Sequence, residues 1–231
     1  MHSIEEKGFG RTTRLLTLFC AILAWGALSP FDSHAQTPPS NDNFVNAQGI
    51  NGLSGSVVGN NLNATAEPNE PLPCPNSTNG DNYPFQASAT IWYVWTAPAS
   101  ATINFNTRGS VDSSGNQLPT LMTVYTGPNG QPATLANLNE VTYTSGGQIF
   151  FAEGDSQSDP AGGVDSWVYF PAVEGTTYYI QIDGDSDGQT STNEGTIDLD
   201  WGASKQGGSF LFASSTSDSF GYPTFTQCEG A

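Results

Sequence analysis

The chain has 231 residues, with 22 Asp and Glu against five Lys and Arg, for a formal charge of −17. So acidic a chain lacks the clustered Lys and Arg that hold nucleic-acid phosphates or anionic membrane surfaces, which excludes both as partners. Aromatic residues make up 11% and charged residues only 12%, which excludes a disordered polyelectrolyte.

In chain order, residues 1–14 carry Lys7, Arg11 and Arg14, and an apolar run from Leu15 to Leu28 follows. A polar stretch then ends in Ser33-His34-Ala35. This is the charged, apolar, small-residue order of a signal peptide, with cleavage expected after Ala35. The run is shorter than the ~20 residues of a spanning helix. Residues 1–35 are therefore read as a signal, the protein as secreted or displayed at the cell surface, and the mature chain as not inserted in a membrane. Cleavage removes His2, His34 and Cys20, leaving Cys74 and Cys228, whose pairing the sequence leaves open, and Arg108 and Lys205 as the bases. Without histidine there is no Ser-His-Asp or Cys-His centre and no histidine-built zinc site. Two bases make no phosphate clamp. We read the mature chain as non-catalytic. The chemistry that survives is that of carboxylates, so a carbohydrate-active module or a glycoside hydrolase built on two acids is the alternative.

After a short lead-in at 36–43 the pattern is β. Strands are expected at 55–61, 90–96, 102–107, 120–126, 140–144, 166–173, 176–183 and 196–201, each rich in β-branched or aromatic residues and bounded by Gly, Pro, Asn, Asp or Ser. Ile103 and Phe105 share a face, as do Tyr178, Ile180 and Ile182, and Ile197, Leu199 and Trp201. The stretch Ile91-Trp92-Tyr93-Val94-Trp95 is bulky on both faces, as in a central or covered strand. Many short antiparallel strands imply an all-β, jelly-roll-like antiparallel β-sandwich.

Four stretches in order carry a family likeness: Ser40-Asn41-Asp42-Asn43-Phe44, Ala66-Glu67-Pro68-Asn69-Glu70-Pro71, Ile91 to Pro98, and Gly175 to Gly184. Leu121 to Gly127 fits as well. Together they resemble the bacterial pre-peptidase C-terminal domain family of secreted and surface proteins, over roughly residues 40–202. The resemblance implies a β-sandwich without catalytic activity, and relatives that bind calcium, collagen or other polymers. It places one domain over 36–202. The segment Leu72–Gln86, with Cys74, departs from it as an insertion. Residues 203–231 are a Ser/Gly-rich tail that is either a frayed end or the start of a further β domain.

The sharpest local motif is Asp183-Gly184-Asp185-Ser186-Asp187-Gly188 with Glu194 following, which fits the D-x-D-x-D-G-x5-E spacing of a calcium loop. Its flanks are strands, so a β-loop rather than an EF-hand is expected. A second acidic loop, with Glu153, Asp155, Asp159 and Asp165, precedes strand 166–173. If that strand forms a hairpin with 176–183 across Glu174-Gly175, both loops lie at one end of the sandwich. Asp183, Asp185, Asp187 and Glu194 are thus the expected calcium ligands, joined by Asp155 or Asp159. Trp92, Tyr93, Trp95, Trp167 and Trp201 are read as core rather than as a sugar-stacking platform. The function expected is binding or structural: adhesion, substrate attachment or spacing, with an extracellular polymer or protein as partner.

Overall fold

The computed structural model describes residues 37–76, 85–156, 158–160, 162–185 and 193–203. Its compact unit begins at Thr37. The expected signal, the tail from residue 204 with Cys228, and Asp187 lie outside the described residues.

The described residues form thirteen strands, in order: β1 (Gln48–Ile50), β2 (Ser54–Asn60), β3 (Ile91–Thr96), β4 (Ala101–Asn106), β5 (Val111–Asp112), β6 (Thr120–Thr126), β7 (Asn139–Glu140), β8 (Thr142–Ser145), β9 (Gln148–Phe151), β10 (Glu153–Gly154), β11 (Trp167–Ala172), β12 (Thr177–Gly184) and β13 (Gly195–Ala203). One sheet has the order β1-β3-β12-β6-β10, with β7 also on β6. The other runs β11-β4-β13-β2, with β5 on β13, and β8–β9 form a separate hairpin. Every pairing is antiparallel except β1 with β3. The protein is an all-β antiparallel sandwich.

Period-two alternation builds the core. Ile91, Tyr93 and Trp95 of β3 and Tyr178, Ile180 and Ile182 of β12 face Ile103 and Phe105 of β4, Val168 and Phe170 of β11, and Ile197, Leu199 and Trp201 of β13. Trp95 meets Phe105 edge-on at 5.7 Å, and Phe105 stacks on Phe170 at 6.1 Å. Each such side chain contributes roughly 1.5–3 kcal/mol through burial. Gly55 lies opposite Trp201 in the β2–β13 ladder, where a β-carbon would strike the indole ring.

The two-sided bulk of β3 has a direct cause. Its outer face carries Trp92, which packs with Phe44 and Tyr125 in a second apolar cluster. Phe44 meets Trp92 at 5.1 Å in a T-shaped contact. The N-terminal segment is strapped across this face. Trp92 N–H donates to Asn41 O, and Asn41 Nδ2 donates back to Trp92 O at 3.1 Å. Asp42 accepts from Thr65 N–H, and Glu67 accepts from Phe44 N–H. Buried Gln181 donates to Glu70 Oε1 and Pro71 O and accepts from the Tyr125 hydroxyl. The Ser40–Phe44 and Glu67–Glu70 stretches therefore hold a strap over the sheet.

One expectation is corrected. The strands at 166–173 and 176–183 do not pair with each other. β11 pairs with β4 in one sheet, and β12 pairs with β3 and β6 in the other. The Glu174-Gly175 turn changes sheets, because it is tied to the β3–β4 connection rather than to a strand partner. Gly175 N–H donates to Ala97 O, and Ala97 N–H donates to Thr176 O. The expected strand at 140–144 likewise divides at Val141 into β7 and β8.

Candidate functional site

The acidic loops do meet, through the sandwich rather than through a hairpin. Asp185 N–H donates to Pro119 O, and the Asp185 carboxylate accepts from Ser156 Oγ. Asn193 Nδ2 bonds Asp185 O, which holds together the two described ends of the expected calcium loop. Asp183, at the root of that loop, is fully buried. Its Oδ1 accepts from Ser88 Oγ (3.1 Å), Ala89 N (2.9 Å) and Gly184 N (2.7 Å). Its Oδ2 accepts from Ser88 N (2.7 Å) and Thr90 Oγ1 (3.0 Å). Burial raises its pKa and the donors oppose that rise. Asp183 thus anchors the approach to β3. Glu194 Oε2 accepts from Asn63 N at 2.8 Å. Asp155 and Asp159 are buried in the 154–166 turn. Among the described residues no group of three or more His, Cys, Asp or Glu converges as a metal site.

Two carboxylates of that turn do converge. A β-carbon built on Gly163 would meet first Asp159 Oδ2 and then Asp165 Oδ2, at 2.8 Å. Asp159 Oδ2 accepts from Gly163 N at 2.9 Å. Asp165 is 1% exposed, and no hydrogen-bond partner reaches either of its oxygens. Burial, then the charge of Asp159, raises its pKa, and Arg108 opposes the rise. The backbone holds Asp165 in place on both sides. Thr120 N–H donates to Val164 O, and Ser166 N–H donates to the hydroxyls of Thr107 and Thr120.

A second acid pair was not visible in the sequence. Strands β7 and β10 both pair with β6, so Glu140 lies opposite Tyr125 and Glu153 opposite Thr123. These positions are two residues apart on one face, so the two carboxyls are near enough for the charge of Glu153 to act on Glu140. Asn76 bridges them, Nδ2 to Glu140 Oε2 at 2.8 Å and N–H to Glu153 Oε2 at 3.2 Å. Burial, followed by the charge of Glu153, pushes Glu140 up to about 7. Beside them Cys74 is a free buried thiol whose Sγ bonds Gly154 O at 3.1 Å, and burial pushes its pKa up. Glu140 and Glu153 are 13 positions apart, with no motif linking them.

Trp92, Tyr93 and Trp95 are fully buried, and Trp201 nearly so. Trp167 is half-buried beneath Arg108, whose guanidinium carbon is 5.9 Å from the ring centroid. Three exposed apolar residues are consecutive on the β8–β9 hairpin: Ile149, Phe150 and Phe151 are exposed, and Phe150 stacks on Tyr143 at 5.3 Å. A shallow hollow of about 340 Å³ lies against the strap, lined by Phe44, Val45, Glu67, Pro68 and Leu135. No described helix is long and apolar enough to cross a membrane.

No protein-family model matches the chain, and no curated protein matches it. Among solved structures it aligns with CorA of Methylomicrobium album BG8, described as a surface-associated copper-binding protein important in copper acquisition. The TM-score is 0.37 and the identity 7%, over 68% of this chain and 98% of that one. A likeness that low carries no conclusion about this chain.

Proposed function

We propose that this protein is an exported, non-catalytic binding or structural module of the pre-peptidase C-terminal kind. It acts in adhesion, substrate attachment or spacing at or beyond the cell surface, and calcium stabilises its acidic end. The observation that carries the binding half is the β8–β9 hairpin. Three consecutive apolar residues, Ile149 to Phe151, are exposed on a hairpin outside the two main sheets. Ile149 and Phe151 share one face of the hairpin and Phe150 lies on the other, and exposed apolar side chains grouped in this way mark a place where a polymer or protein docks.

The distribution of the other groups supports the same reading. Four of the five aromatics that would build a sugar platform are buried instead, three in the sandwich core and Trp92 beneath the strap. Glycosidase carboxyls stand about 5 Å or more apart to admit the sugar and water. Glu140 and Glu153 are instead both bonded by Asn76, which occupies the position between them. Calcium would be held by carboxylates of the two acidic loops and would contribute charge neutralisation there. Asp183 is already committed to Ser88, Ala89 and Thr90.

The test is co-sedimentation of the purified protein with insoluble collagen, chitin, cellulose and peptidoglycan, with the supernatant assayed for released sugar or peptide. Retention on at least one polymer, lost in the Phe150→Ser, Phe151→Ser double variant at unchanged melting temperature, is expected. Release of soluble product, or retention that ignores the hairpin variant, would overturn the reading.

A further inference from the structure

We propose that Asp159 and Asp165 form a calcium site of their own in the 158–166 turn, separate from the 183–194 loop. The proposal stands on Asp165 and does not depend on the surface role proposed above.

The argument begins with an imbalance. A buried carboxylate is tolerated when donors or a counter-charge replace the water it has lost. Asp165 is 1% exposed, yet no hydrogen-bond partner reaches either oxygen. Its backbone is fixed on both sides, since Val164 and Ser166 are tied to Thr120 and Thr107. Its Oδ2 is directed at the space beside Gly163, and Asp159 Oδ2 is directed at the same space. Two carboxylates aimed at one point repel each other, and a divalent ion turns that repulsion into ligation. The absence of a side chain at Gly163 lets both carboxylates come against its backbone. The donors are hard oxygens with no nitrogen or sulfur among them, which selects calcium over zinc or copper. Two carboxylates, completed by carbonyls and water, match the weak affinities of extracellular calcium modules, about 10⁻⁴–10⁻³ M.

Among the described residues the cation within electrostatic reach is Arg108. It is exposed and sits over the Trp167 ring. It is the internal rival for Asp165, and the experiment separates the two.

The purified protein is titrated with terbium, using indole excitation, and melted in calcium and in chelator. Trp167 lies two residues from Asp165, so bound terbium is expected to show sensitised emission that calcium displaces. Asp165→Asn is expected to abolish that emission component, and Asp187→Asn to leave it intact. The melting temperature carries a sign test that a merely structural role would not pass. In chelator, Asp165→Asn is expected to raise it, because an unrelieved buried charge is gone. In calcium, the same variant is expected to melt below the parent. Arg108→Ala is expected to leave terbium binding in place. If Asp165→Asn lowers the melting temperature in chelator, Arg108 is the counter-ion and the proposal is overturned. If it raises it equally in calcium and in chelator, no ion binds there and the proposal is overturned too.

Discussion

Asp183 and Asp165 are two buried aspartates of the same small protein, held in opposite ways. Asp183 accepts five hydrogen bonds, three from backbone N–H groups. Asp165 accepts none. Both are shielded from solvent, so burial alone does not say what an acid does. What distinguishes them is whether the chain brings its own donors. Where it does, the acid is a structural tie. Where it does not, the acid is left for something from outside the chain.

The largest effect is expected at Asp183. Asp183→Ala leaves the N–H groups of Ser88, Ala89 and Gly184 without their acceptor, and losing a buried charged partner of this kind costs about 3–5 kcal/mol. Chemical denaturation measures it. A loss below about 1 kcal/mol would mean that the 88–90 segment rehydrates freely and that Asp183 is no tie. Gly163→Ala comes next. It forces a methyl against Asp159 and Asp165, an overpacking expected to cost about 1–3 kcal/mol. A neutral result would show that the two carboxylates move apart easily.

A third experiment turns on the other acid pair. The folded protein keeps a proton on Glu140 up to about 7, whereas in the unfolded chain the group ionises at its ordinary value of 4.5. Between those values the native state binds more protons, so this contribution is fully present below the ordinary value and is lost as pH rises through about 7. Glu140→Gln should flatten that part of the stability profile. The pair is only half-buried, so the change is expected to stay below about 1 kcal/mol. An unchanged profile would show that Glu140 and Glu153 ionise independently. The smallest effect concerns Cys74. As a buried thiol with a raised pKa, it should react with a thiol reagent only as fast as the protein unfolds. Reaction at the rate of a free thiol would show the 72–76 segment opening on its own.

Much of this fold was legible in the sequence. The strands with four or more alternating positions, such as 102–107 and 196–201, sit where period two puts them. The strands missed were mainly those of two to four residues, Val111–Asp112 and Glu153–Gly154 among them. A run that short has no period to read. The Glu174-Gly175 turn misled for a different reason. A tight turn looks the same locally whether it closes a hairpin or crosses between sheets, and only its bonds to Ala97 and the distant partners β4 and β3 decide. The site was half legible. Spacing showed that acids cluster in two loops. It could not show that Ser88, Ala89 and Thr90 supply Asp183 from more than 90 residues away in the chain, with |i−j| of 93 to 95. Nor could it show that pinning Val164 and Ser166 leaves Asp165 alone between them.

The most direct measurement is an anomalous difference map from a crystal of the protein grown with terbium. The account expects a peak ligated by Asp159 and Asp165, with Asp183 still bonded to residues 88–90. A map with no peak there, and the Arg108 guanidinium turned onto Asp165, would contradict it.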